Sequence, residues 1–412
     1  MKRLIKCDPA VALLLEQEEE AQKKQLNFIA SENYAYESVL VTLGSVFTDT
    51  YAEGYPGKRY YAGCTTADAV EELAIKRCKE LFDADHANVQ PHSGSQANMA
   101  VFFSVLEPGD TLMGMCLVAG GHLTHGHHVN FSGKLYKSVQ YTVNPKTEFI
   151  EYDAIQDLAH QHKPKLIIAG ATSYSRSIDY KKFQEIAQSV GAYLMVDIAH
   201  AIGPIIAQLF PNPTPYADFI TGTTHKALRG PRGGFILCKK EHKEKIDRSV
   251  FPGIQGGPHL NNIAAKAVTF YQASQPEFRS YIKRAVKSAK AMAREFEKRG
   301  YRVVSGGTDI PHFVLDLSSK GISGRDAEKL LEKADILVSR SAVPFDKQSP
   351  LNPSGIRLGT LAYTTQGFEE HQMEEIVAII DKLLNNPTNE TLFSDIKQVI
   401  HSITKQACKS TC

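Results

Sequence analysis

The most informative stretch of this chain is Ala217-Asp-Phe-Ile-Thr-Gly-Thr-Thr-His-Lys226-Ala-Leu-Arg-Gly-Pro-Arg-Gly-Gly234. It sets Lys226 between the end of a predicted strand and a glycine-rich turn. The neighbours His225, Arg229 and Arg232 are of the kind that lower the pKa of an amine, which then attacks a carbonyl carbon more readily. The position therefore suits a lysine that forms a Schiff base. The alternative is a solvated lysine in a basic surface loop, the usual environment of this residue type.

An upstream segment has the pattern of a buried strand that ends in a carboxylate: Gly191-Ala-Tyr-Leu-Met-Val-Asp197-Ile-Ala-His200. Apolar runs of this kind are typical of parallel strands, and ligands bind at the carboxyl ends of such strands. An aspartate there can keep the pyridine nitrogen of pyridoxal 5'-phosphate protonated, so that the ring withdraws electrons. The alternative is that Asp197 caps a following helix.

A third segment runs from a short strand into an apolar helix: Ala87-Asn-Val-Gln-Pro-His-Ser93-Gly94-Ser95-Gln96-Ala-Asn98. Hydroxyls and backbone N–H groups at the start of a helix bind phosphate. Neither a GxGxxG nor a GxxxxGKS/T sequence accompanies it, so a dinucleotide or ATP site is not favoured. Ser-Gly-Ser alone is only a capping turn, but its position ahead of Asp197 and Lys226 favours a phosphate site.

These segments are parts of a longer resemblance. From about residue 5 to residue 405, the chain resembles the serine hydroxymethyltransferases, a family of fold-type I pyridoxal-phosphate enzymes. The resemblance is nearly free of gaps. It is carried, in one order along the chain, by Ile29-Ala-Ser-Glu-Asn33, Tyr51-Ala-Glu-Gly-Tyr-Pro-Gly-Lys-Arg-Tyr-Tyr61, Gln90-Pro-His-Ser-Gly-Ser-Gln-Ala-Asn98, Gly120-Gly-His-Leu-Thr-His-Gly126, Thr223-Thr-His-Lys-Ala-Leu-Arg-Gly-Pro-Arg-Gly-Gly234, Gly256-Gly-Pro258, Val304-Ser-Gly-Gly-Thr-Asp309 and Ser354-Gly-Ile-Arg-Leu-Gly359.

The resemblance implies an α/β fold with two domains. Residues 41–275 would form a large domain with a mostly parallel sheet that binds pyridoxal phosphate. Residues 276–412 would form a smaller α+β domain, and residues 1–40 an N-terminal arm. Helical and strand patterns alternate from about Asp68 to Lys240, which agrees with helices on both faces of such a sheet.

A cofactor site is also implied, with a role for each residue. Lys226 would form the Schiff base, Asp197 would pair with the pyridinium nitrogen, and His200 would contact the phenolic oxygen. His122 would stack on the ring face. The other residues implied to hold the cofactor, with the last two contributed by a second subunit, are Ser93, Gly94, Ser95, His225, Thr172, Tyr51, Gly256 and Gly257.

The implied substrate site centres on Arg357, which would bind the amino-acid carboxylate, although a structural salt bridge is the alternative. Glu53 would move a proton on the serine hydroxyl or on folate, and its alternative is a solvated loop position. The remaining implied substrate residues, of which the two tyrosines and Glu53 would come from a partner chain, are Ser31, Tyr51, Tyr61, Leu117, Gly121 and Leu123. The implied catalytic residues are Lys226, Glu53, His122, Asp197 and Tyr61.

The reaction implied is the interconversion of serine and glycine. The Cα–Cβ bond of serine breaks, and the one-carbon unit passes to tetrahydrofolate. The expected assembly is a homodimer or a dimer of dimers, since one chain would complete the site of another.

Departures from the family pattern gather on the folate side and in the loops that support it. Ser341 stands where asparagine is usual, and Leu361 and Gln366 replace a proline and an arginine. A first alternative is therefore a folate-independent pyridoxal-phosphate aldolase or transaldolase that acts on a β-hydroxy or α-methyl amino acid. A second is a non-catalytic binding protein, and the intact Lys226 and Arg357 argue against it.

Composition favours small-molecule partners and a second copy of the chain. The formal net charge of the 412 residues is +2, which provides no basic surface for nucleic acid. No apolar run approaches the roughly 20 residues of a membrane span. The cysteines lack CxxC spacing, which fits reduced thiols and a cytoplasmic location. The histidines between His122 and His128 resemble a metal cluster, but no nearby cysteine or carboxylate completes a tetrahedral set, so no metal is expected.

Overall fold

A computed structural model describes residues 2–410, with the side chains of residues 4–406. The α-helices in the described part of the chain are α1 (Lys2–Cys7), α2 (Pro9–Lys24), α3 (Glu37–Leu43), α4 (Thr65–Phe82), α5 (Gly94–Val105), α6 (Phe131–Leu135), α7 (Tyr152–His162), α8 (Tyr180–Val190), α9 (Ile202–Ile206), α10 (Lys243–Arg248), α11 (Leu260–Ser274), α12 (Pro276–Lys298), α13 (Gly324–Lys333), α14 (Leu361–Thr365), α15 (Met373–Leu384) and α16 (Glu390–Ser410). The strands are β1 (Leu26–Asn27), β2 (Gly54–Tyr55), β3 (Lys58–Arg59), β4 (His86–Asn88), β5 (Thr111–Met115), β6 (Lys137–Tyr141), β7 (Leu166–Gly170), β8 (Tyr193–Asp197), β9 (Phe219–Thr223), β10 (Gly234–Cys238), β11 (Arg302–Val303), β12 (His312–Asp316), β13 (Ile336–Leu337), β14 (Ser339–Ser341) and β15 (Gly355–Gly359).

The chain divides into two compact units, and the larger contains residues 33–283 and 343–345. Its sheet has, among the described residues, seven strands in the order β4-β10-β9-β8-β7-β5-β6. The pairs from β9 to β6 are parallel, and β10 runs antiparallel to both β9 and β4. A single reversed strand leaves the sheet mostly parallel, as predicted.

The carboxyl ends of most of these strands meet at one edge of the sheet. Strand β4 runs in the same direction as β9, because both pair antiparallel with β10. The loops after β4, β5, β7, β8 and β9 therefore leave the same edge, and this edge is where ligands bind in open α/β sheets. Each of these five strands has a predicted cofactor residue at or soon after its carboxyl end. In strand order these residues are Ser93, His122, Thr172, Asp197 and His225.

Burial explains why these strands are apolar. Strands β7 and β9 are buried along their whole length. Leu112, Ile168, Met195 and Ile236 pack in one core with Val101 of α5. Removing such side chains from water is the main source of stability for a sheet covered on both faces.

The smaller unit contains residues 2–32, 284–342 and 346–410. It holds an antiparallel sheet in the order β11-β12-β15-β14. The N-terminal strand β1 pairs in parallel with β13. Helix α2 begins at an Asp-Pro pair: Asp8 accepts a hydrogen bond from Val11 N–H, and Pro9 occupies the first turn. The predicted domain limits of 1–40, 41–275 and 276–412 stay a prediction.

Two simpler expectations concern thiols and membranes. The described cysteines Cys7, Cys64, Cys78, Cys116 and Cys238 are free thiols. Cys412 and the side chain of Cys408 lie outside the described residues. Within residues 2–410, no helix is both long enough and apolar enough to cross a bilayer.

Candidate active site

Lys226 lies in the loop that joins β9 to β10. The loop is closed by its own backbone, since Thr224 N–H donates to Gly233 O (3.1 Å) and Gly230 N–H donates to Thr224 O (2.8 Å). The half-buried Lys226 places its Nζ 2.9 Å from Nε2 of His200, in the loop after the neighbouring strand β8. Two residues predicted from separate segments are therefore brought together.

Asp197 ends β8 as a carboxylate with several donors. Its Oδ2 accepts from Asn98 Nδ2 (3.0 Å) and lies 3.1 Å from His125 Nε2, and its Oδ1 accepts from Ala199 N–H (3.0 Å). Burial on its own would raise the pKa of Asp197. The hydrogen bond from His125, with a further bond from Asn98, instead holds that pKa well below its usual range. The group is thus an anion at neutral pH.

Ser93 and Gly94 form a tight turn at the start of α5. The Ser93 hydroxyl accepts a hydrogen bond from Gln96 N–H (3.2 Å), which makes it the N-cap. A Cβ on Gly94 would lie 2.6 Å from Cγ2 of Thr223, and one on Gly234 would lie 2.4 Å from Ser93 O. Glycine at both positions lets the turn lie directly against the ends of β9 and β10. We call Ser93, Gly94, Ser95 and Thr223 the cradle.

The loops after β5 and β7 hold further predicted residues. Thr172 N–H donates to Gly120 O (2.6 Å), which joins the two loops. A Cβ on Gly121 would lie 1.9 Å from Met115 O, so only glycine fits there. Leu117 begins a short 3₁₀ turn, and Leu123 is partly exposed.

A second group of predicted residues is held together by contacts of its own. The Tyr51 and Tyr61 rings are 5.1 Å apart, and Tyr61 OH donates to Glu53 Oε2 (3.4 Å). A Cβ on Gly257 would lie 2.8 Å from Cζ of Tyr51, and one on Gly256 would lie 3.1 Å from Glu53 Oε1. Tyr51 is 57% exposed in this single chain. We call these five residues the tyrosine group. They are the residues that were expected to serve a partner's site.

Ser31 and Arg357 belong to the smaller unit. Arg357 lies on β15, opposite Val314 of β12 on one side and Ser339 of β14 on the other. It is 9% exposed, and burial lowers its pKa to about 10, so it remains a cation at neutral pH. Gly359 N–H at the end of β15 donates to Phe28 O (2.7 Å), three residues before Ser31.

A family model for serine hydroxymethyltransferase matches residues 4–380. The chain belongs to this family. Serine hydroxymethyltransferases are fold-type I transferases that use pyridoxal phosphate, with tetrahydrofolate as co-substrate, in the interconversion of serine and glycine. The predicted family and fold class are confirmed, and the chain is a pyridoxal-phosphate-dependent transferase.

The residues of this serine hydroxymethyltransferase family member fit the cofactor. Thr223 Oγ1, which belongs to the cradle, and His225 Nδ1 are buried atoms without a hydrogen-bond partner among the described residues. Phosphate oxygens would supply such partners. Burial first, and then the charges of Lys226 and Arg232, lower the pKa of His225 to about 3. His225 is thus neutral at neutral pH and would contribute hydrogen bonding, with no positive charge.

No role was predicted from the sequence for Lys266, whose ammonium group donates hydrogen bonds to backbone carbonyls next to the cradle. This lysine of α11 is 1% exposed, and its Nζ donates to Val89 O (2.6 Å), Pro91 O (3.0 Å) and Gly234 O (2.9 Å). Burial lowers the pKa of Lys266 to about 7, while three carbonyl acceptors favour the ammonium form with its three protons. A single lysine inside the apolar helix Ile263-Ala-Ala-Lys-Ala-Val was the signal that could have revealed it.

The positions that depart from the family pattern have local partners. Gln366 donates through Nε2 to Gln25 O (2.9 Å), at the end of α2. Ser341 donates to Ala342 O (3.2 Å). In the histidine run from His122 to His128, the His127 and His128 rings lie 4.3 Å apart. Within residues 4–406, no set of three or more histidine, cysteine or carboxylate side chains is placed to bind a metal ion.

Proposed function

We propose that this chain is a serine hydroxymethyltransferase in the strict sense. It converts serine and tetrahydrofolate to glycine and the one-carbon folate, and it also runs the reverse reaction. The observation that carries the proposal is the placement of Lys226, His200 and an ionised Asp197 at the ends of adjacent strands, together with the cradle. This set supports a bound pyridoxal phosphate, and the family supplies the substrate pair.

Each proposed role follows from the chemistry of the side chain. When bound, pyridoxal phosphate supplies an electron sink for the pair left at Cα as the Cα–Cβ bond breaks. Asp197, as a buried anion, holds a proton on the ring nitrogen. Lys226 would hold the cofactor covalently through its carbonyl carbon, whose oxygen would leave as water, and His200 Nε2, 2.9 Å away, would accept the proton that the amine must lose.

The remaining roles concern phosphate and substrate. The cradle binds phosphate through the hydroxyls of Ser93, Ser95 and Thr223 and the N–H groups at the start of α5. His122 would stack on the ring, and Arg357, a cation at neutral pH, would pair with the substrate carboxylate.

We further propose a homodimer in which the tyrosine group acts in the partner's site. The exposure of Tyr51 supports this, since a catalytic pocket excludes water once it is complete. Glu53 then moves the proton of the serine hydroxyl. The Tyr61 pKa is raised by partial burial and by Glu53, so its hydroxyl stays protonated and donates to that carboxylate. The free thiols support a cytoplasmic location.

A second candidate is a folate-independent aldolase or transaldolase. Its support is that Gln366, which replaces a family arginine, uses its amide to hold the end of α2. A neutral side chain engaged in that way offers folate no cation.

The test is the dependence of serine cleavage on folate. Cofactor-loaded protein is given labelled serine with and without tetrahydrofolate, and glycine is measured. We expect glycine formation to require folate. Glycine that forms at the same rate without folate, accompanied by free aldehyde, would favour the aldolase. The Lys226→Ala variant is the control for chemistry outside this site.

A further inference from the structure

Asn98 and Thr124 form a buried hydrogen-bonded link between two predicted cofactor residues, Asp197 and His122. Both linking side chains are 1% exposed, and no role was predicted for either. Asn98 Nδ2 lies 3.0 Å from Asp197 Oδ2 and 2.7 Å from Thr124 Oγ1. Thr124 Oγ1 in turn lies 2.7 Å from Nδ1 of His122. The link therefore runs from the carboxylate to the imidazole without a break.

The orientation of the Asn98 amide is fixed from both ends. An ionised Asp197 only accepts hydrogen bonds, so the NH₂ group of Asn98 must face it. The Asn98 carbonyl oxygen accepts from the hydroxyl of Thr221 (2.6 Å), a residue of β9 that is also 1% exposed. The second amide proton of Asn98 then goes to Thr124 Oγ1.

This orientation determines the direction in which the hydroxyl proton of Thr124 points. Its hydroxyl has one proton, and its oxygen already accepts from Asn98. The proton therefore points to Nδ1 of His122, which also accepts from Thr124 N–H at 3.2 Å. Because a ring nitrogen that accepts cannot carry a proton, the proton of a neutral His122 ring lies on Nε2.

His125 is buried beside the link, and its ring proton is fixed by its partners in the same way. Its Nδ1 accepts from the backbone N–H of His122 (3.2 Å). Its proton is then on Nε2, where it is donated to Asp197 Oδ2 at 3.1 Å. Asp197 thus accepts hydrogen bonds from Asn98 and His125, and further hydrogen bonds fix the orientation of both donors.

We infer that Asn98 and Thr124 are positioning residues that set the proton arrangement of the cofactor site. They keep Asp197 an acceptor for the ring nitrogen, and they hold His122 as the Nε2–H tautomer at one ring orientation. The inference rests on the proposed roles of Asp197 and His122 toward pyridoxal phosphate. Thr221 acts through Asn98 and strengthens the same arrangement.

The test compares Thr124→Val, which removes the hydroxyl at nearly constant shape, with Thr124→Ser, which retains it. We expect Thr124→Val to weaken pyridoxal phosphate binding by roughly tenfold or more, because Asn98 and His122 each lose a buried partner. The visible circular dichroism of the bound cofactor should fall as well, since it reports the orientation of the ring against its neighbours. Thr124→Ser should match the wild type in both measurements.

A second measurement reads the proton positions without any cofactor. Histidine-¹⁵N-labelled apoprotein distinguishes the two imidazole tautomers by NMR, with signals assigned through His122→Gln and His125→Gln. Wild type should show His122 as the Nε2–H tautomer, and Thr124→Val should show a mixture. If Thr124→Val does not fold, Thr221→Val takes its place, with a smaller change in the same direction.

The outcomes separate this inference from the proposed function. A wild type that binds no pyridoxal phosphate contradicts the proposed function, while the NMR result still tests the link. Unchanged affinity, circular dichroism and tautomer in Thr124→Val would overturn the inference even in an active enzyme.

Discussion

The Nζ of Lys226 lies 2.9 Å from Nε2 of His200, although the two residues leave different strands of the sheet. The parallel register of β8 and β9, in which Asp197 faces Thr221, sets their loops side by side. An amine at this distance from an imidazole has a proton acceptor within reach at the moment it attacks. This distance is what the proposed roles of Lys226 as nucleophile and His200 as its base require.

Removing the base should slow covalent capture of the cofactor. We expect His200→Phe to slow the covalent attachment of pyridoxal phosphate to the protein, as trapped by borohydride, by about tenfold to a hundredfold at pH 7. Mass spectrometry measures the trapped fraction over time. Lys226→Ala should trap none, and the exposed His160→Phe should behave as wild type. A His200→Phe rate equal to that of the wild type would contradict the role of His200.

The neutral state of His225 should make the apoprotein less stable in acid. The folded pKa of about 3 lies below the ordinary value of 6.5, so the unfolded chain binds a proton that the native chain refuses. The stability contributed by the neutral ring is present above pH 6.5 and is lost as the pH falls toward 3. This single group contributes a slope of up to about 1.4 kcal/mol per pH unit.

Urea unfolding at pH 7, 6 and 5 measures this slope. His225→Gln should reduce the pH slope of the unfolding free energy by up to the contribution of one titrating proton. The substitution His128→Gln, at an exposed position, should leave the slope unchanged. Equal slopes for His225→Gln and wild type would show that His225 is not held neutral in the native state.

Lys266 should contribute both to stability and to cofactor binding. Lys266→Met fills the same space but removes the lysine donor from three buried carbonyls, of which Pro91 O keeps a hydrogen bond from Gly234 N–H (3.1 Å). The free energy of unfolding should therefore fall by about 2–4 kcal/mol. The affinity for pyridoxal phosphate should fall further, because Gly234 and Pro91 adjoin the cradle. Urea unfolding and fluorescence titration measure the two effects. The exposed Lys243→Met is the control, and a variant with wild-type stability would refute the structural role.

The proposed exchange of residues between subunits predicts complementation. Lys226→Ala and Glu53→Gln homodimers should each be inactive. After unfolding and refolding as an equal mixture, half of the dimers should be mixed, and each should have one intact site. The mixture should then recover about a quarter of the wild-type activity. If Glu53 acts in its own chain, every site of the mixture lacks one residue and no activity returns.

The strands and the residues at their ends could be predicted because their signals are local. An apolar run that ends in Asp197 and a Ser-Gly-Ser turn before an apolar helix each lie within a dozen residues. The partners of Asn98 and Lys266 could not be found in this way. Asn98 meets Thr221 across 123 positions, and Lys266 meets Val89 across 177. Such contacts exist only once the sheet has brought distant segments together.

The small unit shows the same limit at the level of the backbone. Leu26 and Asn27 form a strand with Ile336 and Leu337, far along the chain. A two-residue strand has no periodicity that a sequence could reveal, and its pairing depends on the packing of the whole unit.

The most direct test of the central claim is the visible absorbance of cofactor-loaded protein with glycine, before and after addition of tetrahydrofolate. A serine hydroxymethyltransferase should develop a long-wavelength band that rises sharply when folate is added, because folate completes the site in which the Cα proton of glycine is removed. A spectrum that changes with glycine but does not respond to folate would contradict the account and favour a folate-independent aldolase.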